Sequence, residues 1–210
     1  VRDPSKKNKI QHLYDLADKS SGQIQFFKAD LLESGSFDEA MQGCEIVIHT
    51  ASPFVVTNYK DAVKDIIEPA VKGTENVVEF CKKENKRLIH ISTISVSGNG
   101  EKEETVEETT ENINSKKIFK ESDLYIGQNI SGIYTITKFE AEKIVLKAIK
   151  SGLNAQILRM GNITNRYSDG VFQQNVEENA FAKRLKSFIE LGMFPKYLLD
   201  HAIELGPVDL

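Results

Sequence analysis

Tyr134 and Lys138 are residues whose types and spacing suggest acid–base chemistry. They lie four positions apart in a stretch with helical periodicity, and on a helix that spacing places both side chains on one face. A lysine ammonium beside a phenol favours the phenolate, so we expect Lys138 to lower the pKa of Tyr134 from about 10. Such a phenol can supply the proton that a carbonyl oxygen gains on reduction. Taken alone, the pair also occurs by chance as an exposed aromatic residue next to a lysine.

A hydroxyl-rich segment, Ser92-Thr93-Ile94-Ser95, closes the apolar run Arg87–Thr93. In open α/β sheets, ligands bind at the carboxyl ends of the strands. A hydroxyl there can hydrogen-bond a reacting oxygen as negative charge develops on it. We assign that role to Thr93 and expect Ser92 and Ser95 to bond loop backbone. The alternative is that all three hydroxyls only satisfy local amides.

The elements that must position these residues are short apolar runs that alternate with longer amphipathic stretches. The predicted strands are Ile24–Lys28, Glu45–Ala51, Arg87–Thr93 and Asn154–Met160. The predicted helices are Ser36–Gln42, Asp61–Lys83, Ile133–Lys150 and Glu177–Leu191. Strands that are apolar throughout and alternate with helices indicate a parallel sheet covered on both faces. We therefore predict an α/β fold with a Rossmann-like, doubly wound parallel sheet.

Composition is that of an ordinary globular protein. The 210 residues include 40% hydrophobic and 28% charged side chains, with a net charge of −4. This length suits one α/β domain, or one domain plus part of another, and the charge gives no electrostatic reason to expect nucleic acid. No apolar run approaches the ~20 residues that span a bilayer, and the start does not resemble a signal peptide. We expect a cytoplasmic protein with no membrane partner.

Residue types that often bind metals show no ligand spacing, so we predict no metal site. Cys44 and Cys81 are far apart, and we expect both to be buried free thiols. His49 and His90 fall inside predicted strands, and we expect them to be core residues with one hydrogen-bonded nitrogen each.

Two further segments have distinctive patterns. Glu101–Glu111 contains six glutamates and one lysine, which predicts a solvated loop. Within Glu177–Leu191, apolar residues recur at helical spacing, and we expect them to be core, with a lining for an acyl chain as the alternative. These residues are Phe181, Leu185, Phe188 and Ile189.

The order of the motifs along the chain resembles that of extended short-chain dehydrogenases/reductases. The segments that carry this likeness are Ala29-Asp30-Leu31, Val47-Ile48-His49-Thr50-Ala51, Gly73-Thr74-Glu75-Asn76-Val77, Ser92-Thr93-Ile94-Ser95-Val96 and the pair Tyr134/Lys138. Residues 1–83 are similar to dihydroflavonol and cinnamoyl-CoA reductases, through Val1-Arg2-Asp3-Pro4 and His49-Thr50-Ala51-Ser52-Pro53-Phe54.

From about residue 88 onward the chain resembles the terminal thioester reductase domains of nonribosomal peptide synthetases and carboxylic acid reductases. The motifs are Ile91-Ser92-Thr93-Ile94-Ser95-Val96-Ser97-Gly98, Asp123-Leu124-Tyr125-Ile126-Gly127-Gln128 and Lys138-Phe139-Glu140-Ala141-Glu142-Lys143. Because these later motifs are longer and more specific, they weigh more than the earlier ones.

The resemblance implies NADPH as cofactor, with NADH as the alternative. It implies that Asp30 caps the adenine, with Leu31 beside it, and that Ala51 passes along the phosphates or a ribose. Arg2 would read the 2′-phosphate, which a guanidinium can pair with twice; a solvated cation is the alternative.

At the nicotinamide end, the resemblance implies that Lys138 bonds the ribose as well as tuning Tyr134, and that Ser92 adjoins the cofactor. The segment Met160, Gly161 and Asn162 would lie against the nicotinamide amide. Tyr134, Lys138 and Thr93 form the expected catalytic set.

The resemblance also implies features that this sequence does not contain. Family members begin with a strand and a G-x-x-G-x-x-G turn that holds the pyrophosphate. We find no such turn, so we expect the chain to lack the first strand and to be cut at both ends. We expect residues 1–165 to be a partial dinucleotide-binding domain and residues 166–210 to begin a substrate-binding region.

The function implied by the later motifs is the NAD(P)H-dependent reduction of an acyl thioester on the phosphopantetheine arm of a carrier protein, to an aldehyde or alcohol. The first alternative is a dihydroflavonol-reductase-like enzyme that reduces a small free carbonyl compound. The second is a catalytically silent fragment that keeps the fold but binds no cofactor.

Overall fold

The computed structural model describes residues 1–50, 60–98, 118–172, 176–196 and 205–208. The helices are α1 (Lys7–Asp18), α2 (Asp38–Met41), α3 (Glu68–Lys83), α4 (Ile133–Lys150) and α5 (Ala180–Leu191). The strands are β1 (Ile46–His49), β2 (Arg87–Thr93), β3 (Ala155–Met160), β4 (Asn162–Arg166) and β5 (Leu205–Val208). The chain divides into two compact units, Val1–Leu158 and Arg159–Leu210. The domain boundary predicted after residue 165 stays a prediction.

The first unit is built on a three-stranded sheet in the order β1-β2-β3. β1 and β2 are parallel and in register from Ile46 opposite Arg87 to His49 opposite His90. Helix α3 connects β1 to β2, and helix α4 connects β2 to β3. A parallel pair needs such a crossover, because the chain must return to the same end of the sheet. The predicted α/β fold, with a parallel sheet and flanking helices, is confirmed.

The apolar core of this unit lies where α3 and α4 pack on β1 and β2. Leu88, Cys81 and Val145 are fully buried at its centre. Each large apolar side chain removed from water contributes roughly 1.5–3 kcal/mol. On the other side of β1, Ile46 and Ile48 are 46% and 61% exposed, so burial alternates along the strand.

Two of the predicted helices are present in the structure, one with the predicted bounds and one with a different start. The helix predicted at Ile133–Lys150 forms with those bounds as α4. The helix predicted at Asp61–Lys83 begins as a π-helical turn, Val63–Ile67, before α3 starts at Glu68. Pro69 lies in the first turn of α3 and has no backbone N–H, which interrupts the regular hydrogen-bond ladder there.

The strand predicted at Ile24–Lys28 is not formed. Among the described residues, this segment and the adjoining Ala29 hydrogen-bond only to Val1: the Val1 amino group donates to the Phe27 carbonyl at 2.9 Å, and the Ala29 amide donates to the Val1 carbonyl at 3.0 Å. One paired residue is too short for a ladder, whatever the β propensity of the segment. The helix α1, in contrast, was not predicted.

Cys81 is buried as expected, and burial raises the pKa of its thiol to about 11. Cys44 is exposed, so the prediction that both thiols are buried is wrong. It lies in the short connection between α2 and β1, where its Sγ faces the Ala40 carbonyl at 3.6 Å. Connections of this kind run over the surface.

The second unit contains the parallel pair β4–β5 and helix α5. Asn179 caps α5 by accepting a hydrogen bond from the Ala182 amide at 2.9 Å. Ile189 is 81% exposed, so the expectation that the apolar stripe of this helix is core is wrong for that residue. Phe188 instead finds a local partner, the ring of Phe194, at a centroid distance of 5.0 Å.

The described ranges contain no helix with the length and apolar character needed to cross a membrane. The glutamate-rich segment Glu101–Glu111 lies outside the described residues.

Candidate active site

Tyr134 and Thr93 meet at the carboxyl end of β2. Thr93 is the last residue of β2 and caps the 3₁₀ turn Ile94–Ser97, since its Oγ1 accepts a hydrogen bond from the Ser95 amide at 3.2 Å. Tyr134 lies in the first turn of α4 and forms a hydrogen bond with the Thr93 side chain. Tyr134 is 37% exposed, so a reactant can approach it.

The acidity of Tyr134 differs from the expectation drawn from its spacing to Lys138. Burial raises the pKa of Tyr134 above its ordinary value, and the hydrogen bond with Thr93 lowers it only in part. The expected lowering by Lys138 is therefore wrong for this structure, because desolvation of the phenol outweighs the groups that favour the phenolate. The neutral phenol persists at neutral pH, and this is the protonation state that a proton donor needs.

Lys138 lies one turn further along α4 and is buried, at 6% exposure. Its Nζ donates a hydrogen bond to the Ile91 carbonyl of β2 at 3.0 Å. Burial lowers the pKa of Lys138, and the charge of Glu142 opposes that change. Lys138 is thus anchored to the same strand whose end carries Thr93.

Ser92 and Glu142 form a buried hydrogen bond next to Lys138. The Ser92 hydroxyl donates to the Glu142 carboxylate at 2.5 Å, and the two residues are 3% and 0% exposed. We expected Ser92 to bond loop backbone, but its side chain faces the helix, where Glu142 is the acceptor. Sequence reasoning missed Glu142, although its spacing of four from Lys138 and eight from Tyr134 puts all three on one helix face.

His49 and His90 lie side by side on β1 and β2, with ring centroids 5.3 Å apart. Both are buried as expected, and His49 Nε2 lies 3.4 Å from the Thr74 hydroxyl. His90 differs from the expectation, because neither ring nitrogen has a hydrogen-bond partner among the described residues. Burial and then the charge of Lys138 lower the pKa of His49 to about 4. Burial, His49 and Lys138 lower the pKa of His90 to about 3.

The predicted adenine end of the site is fastened to α3. Asp30 begins a turn, with its Oδ1 accepting from the Leu32 amide at 2.9 Å. The Leu31 carbonyl accepts from Asn76 Nδ2 at 2.9 Å. The Leu31 side chain lies directly on Gly73, where an added Cβ would be 2.7 Å from Leu31 Cδ2.

The described structure does not test the remaining predicted cofactor residues. Arg2 is exposed and follows Val1, which is bonded to Phe27 and Ala29. Ala51 lies outside the described residues. The second unit begins at Arg159, so Met160 is both the last residue of β3 and part of that unit, and Asn162 pairs with Leu205 across β4 and β5. Their places against a cofactor stay predictions.

Gln128 ties a loop to the turn that Thr93 opens. Its side-chain amide donates to the Val96 carbonyl at 3.0 Å and to the Leu124 carbonyl at 2.8 Å, and its Oε1 accepts from the Ile126 amide at 2.7 Å. The motif that contains Gln128 was noticed in the sequence, but its structural role was not.

The donor set fits the nicotinamide end of a dinucleotide. An ammonium has three N–H donors, and the Ile91 carbonyl takes one from Lys138, which leaves donors for ribose hydroxyls. Tyr134 and Thr93 supply hydroxyls beside it. Within the ranges that the structure describes, no group of three His, Cys, Asp or Glu residues could hold a metal ion.

Comparison with known proteins adds a family match. The model of an NAD-binding family described as male sterility protein matches residues 6–210. A cinnamoyl-CoA reductase of Medicago truncatula is 38% identical over 153 residues, covering 71% of this chain and 44% of the relative. A dihydroflavonol 4-reductase of Solanum lycopersicum is 33% identical over 150 residues, covering 70% of this chain and 37% of the relative.

Among solved structures, the thiolation-reductase di-domain from an archaeal non-ribosomal peptide synthetase superposes with a TM-score of 0.75 and 29% identity. That match covers 96% of this chain and 42% of the other. The chain thus spans less than half the length of these relatives. The predicted likeness to both groups of reductases is confirmed, and the NAD-binding family model supports the predicted NAD(P)H cofactor.

Proposed function

This chain belongs to the NAD-binding family described as male sterility protein, among the extended short-chain dehydrogenases/reductases, which are NAD(P)-dependent oxidoreductases, and on that premise we propose that the protein reduces acyl thioesters held on the phosphopantetheine arm of a carrier protein. The observation that carries this proposal is the likeness to the thiolation-reductase di-domain, which extends over 96% of the chain. The name of the Medicago relative agrees with it in chemical class, because cinnamoyl-CoA is also an acyl thioester.

The roles of the chain's own residues follow from the geometry. The nicotinamide that these residues would hold would, in its reduced form, supply hydride to the carbonyl carbon. Thr93 and Tyr134 lie together at the strand end, where their hydroxyls can hydrogen-bond the oxygen on which negative charge develops. Tyr134, kept protonated by its burial, is the proton donor.

Lys138 and Asp30 would bind and orient the cofactor. Lys138 holds its ammonium at β2 and can reach ribose hydroxyls with its remaining N–H groups. Asp30 is positioned by its own turn and by the packing of Leu31 on Gly73 of α3.

When the carbon–sulfur bond breaks, the thiol leaves and an aldehyde is released; a second reduction gives the alcohol.

The test uses the protein that contains this chain, at the full length that its gene encodes. The protein is incubated with NADPH and, in parallel, with an acyl group on a phosphopantetheinylated carrier protein, with the matching acyl-CoA and with a free ketone. We expect NADPH oxidation and aldehyde formation with the carrier thioester, at a higher kcat/KM than with acyl-CoA. Oxidation of NADPH with the ketone alone would refute the proposal.

A second candidate function is the reduction of a small free carbonyl compound, supported by the 33% identity to a dihydroflavonol 4-reductase. The same Tyr134 and Thr93 hydroxyls would serve a ketone oxygen. Preference for the ketone over both thioesters in the assay above would select this candidate.

Binding of the cofactor by this chain can be measured separately. NADPH that binds the folded state raises its melting temperature, by a free energy that grows with ligand concentration. We expect a rise in melting temperature with NADPH for the protein of 210 residues, whereas a catalytically silent chain that binds no dinucleotide would show none.

A further inference from the structure

We propose that Glu142 is a positioning residue: its bond to Ser92 holds the Ser92–Thr93 end of β2 against α4, one helical turn from Lys138 and two from Tyr134. The proposal goes beyond the proposed function, because that function requires Tyr134, Thr93 and Lys138 but assigns nothing to Glu142. Its consequence for catalysis rests on the proposed function, and its structural part does not.

The first argument is a pair of bonds between one helix and one strand. Lys138 and Glu142, one turn apart on α4, reach consecutive residues of β2. Lys138 Nζ donates to the Ile91 carbonyl at 3.0 Å, and Glu142 Oε1 accepts from the Ser92 hydroxyl at 2.5 Å. The next residue of the strand is Thr93, which bonds Tyr134 on the first turn of the same helix. Helix and strand are therefore fastened at three successive turns of α4.

The second argument is burial. Glu142 is 0% exposed and Lys138 is 6% exposed. A buried charge is strongly unfavourable unless a group of opposite charge and hydrogen bonds compensate for it. Glu142 supplies both, since its charge favours the ammonium form of Lys138 and its carboxylate binds Ser92.

The third argument is the character of the neighbouring groups. Among the described residues, the titratable side chains that interact electrostatically with Lys138 are His49 on β1, His90 on β2 and Glu142 on α4, and Tyr134 lies one turn away on the same helix. The pKa values of about 4 and about 3 leave both histidines neutral at neutral pH. Tyr134 is also neutral, so among these groups Glu142 provides the negative charge.

The consequence for the reaction is a defined pH dependence. Without the carboxylate, Lys138 would lose its proton at lower pH, because burial would act on the ammonium without compensation. In the proposed function, the Lys138 ammonium is the group that binds the ribose. Loss of Glu142 should therefore move the alkaline limb of kcat/KM to lower pH and leave the acidic limb in place.

The experiment compares Glu142→Gln with Glu140→Gln in the full-length protein. Glu140 lies on the same helix, but its carboxylate is partly exposed and pairs with Lys143 at 2.8 Å, so Glu140→Gln removes the same charge from the surface. We expect Glu142→Gln to shift the alkaline limb of NADPH oxidation by about 1 pH unit and to lower the melting temperature by about 6 °C or more. Glu140→Gln should change neither property by a comparable amount. An unshifted limb in folded, active Glu142→Gln overturns the catalytic consequence.

A double variant tests the structural part even if the protein reduces none of the substrates. In Lys138→Met/Glu142→Gln both charges are gone, so the melting temperature should recover most of what Glu142→Gln alone loses. If the decreases in melting temperature of the two single variants simply add in the double variant, the proposal is overturned. If Glu142→Gln does not fold, a folded double variant supports the proposal and an unfolded double variant overturns it.

Discussion

Two regions of the same layer, between β1–β2 and helices α3 and α4, are equally buried and chemically opposite. The apolar half consists of Val47, Cys81, Leu88, Val145 and Ala148. The polar half consists of His49, Thr74, His90, Ser92, Lys138 and Glu142. Two steps along β1 lead from Val47 to His49, and two steps along β2 lead from Leu88 to His90.

The difference shows that one half of the layer stabilises the fold, whereas the other half contains the groups that could take part in chemistry. Burial of the apolar half is favourable in itself. Burial of the polar half is unfavourable unless each group finds a partner, and His90 has none among the described residues. The polar half adjoins the carboxyl ends of the strands, where parallel sheets bind their ligands. Polar groups thus replace apolar ones at the end of the layer where a ligand site is expected.

The largest expected effect is that of Tyr134→Phe, which removes the phenol that we propose as proton donor. We expect kcat for NADPH oxidation to fall by about 10²–10⁴-fold, while the melting temperature stays nearly unchanged because Tyr134 is 37% exposed. The control is Tyr125→Phe, which removes a phenol that is 64% exposed. An equal loss in both variants would mean that Tyr134 has no special role.

The apolar half is tested by Leu88→Ala. Leu88 is 0% exposed at the centre of the core, so we expect the free energy of unfolding in urea to fall by about 2–5 kcal/mol. Specific activity per folded molecule should remain. Leu32→Ala, at a 56% exposed position, should stay within about 0.5 kcal/mol. A small effect of Leu88→Ala would show that the layer tolerates a cavity and that its halves differ less than proposed.

Acid should destabilise the protein through the polar half. The pKa values of His49 and His90 are lowered in the folded state to about 4 and about 3, so the unfolded chain binds more protons below the ordinary value of 6.5. The two histidines contribute fully to the free energy of unfolding above pH 6.5. This contribution is lost as the pH falls from 6.5 toward their folded-state pKa values, by up to about 1.4 kcal/mol per pH unit for each histidine.

The measurement for this prediction is the free energy of unfolding at pH 7, 6 and 5. His90→Asn should reduce the slope of the free energy of unfolding against pH, because one of the two buried imidazoles is gone. His12→Gln, which alters an exposed histidine on α1, should leave the slope unchanged. Identical slopes in all three proteins would show that the buried histidines do not govern acid stability.

The smallest expected effect is that of Gly73→Ala, one residue before Thr74 of the polar half. The new Cβ would be 2.7 Å from Leu31 Cδ2 and 2.9 Å from Leu31 Cβ, so Leu31 must move. Overpacking of about 1–3 kcal/mol is partly offset by about 1 kcal/mol of helix propensity. We expect a net loss near 1 kcal/mol and weaker NADPH binding, measured by titration. The double variant Leu31→Ala/Gly73→Ala should remove the clash, so the new Cβ should no longer lower the free energy of unfolding. If Gly73→Ala is equally destabilising in the Leu31→Ala background, contact with Leu31 is not the cause.

The sequence predicts elements best where a local pattern and a long-range partner agree. Arg87–Thr93 is a strand as predicted, because its apolar run is also flanked by β1 and β3. Ile24–Lys28 has the local pattern but hydrogen-bonds to no described residue other than Val1. Helix α1 was missed because it lacks start signals: Lys6 makes no side-chain cap, and the first turn contains no acidic residue.

The sequence predicts which residue types form the candidate site, but it does not predict how deeply each side chain is buried or which groups surround it. The spacing of Tyr134 and Lys138 and the hydroxyl at Thr93 are visible in the sequence, and the Tyr134–Thr93 hydrogen bond brings two of them together. The direction of the Tyr134 pKa depends on burial, which no spacing records. Glu142 was overlooked because a helical glutamate is ordinarily exposed, and only the packing of α4 on β2 shows that this one is not.

The three backbone bonds of Gln128 distinguish the residue that fixes this loop from loop residues that can be replaced. The amide at position 128 fixes the loop to the Val96 carbonyl, three residues after Thr93, while Tyr125 in the same loop is 64% exposed. Replacement of Tyr125 would therefore change the exposed surface of this loop while the bonds of Gln128 still hold the loop to the turn. A graft that replaces the whole loop and omits the glutamine would lose all three bonds at once, so the loop would no longer be tied to the turn that follows Thr93.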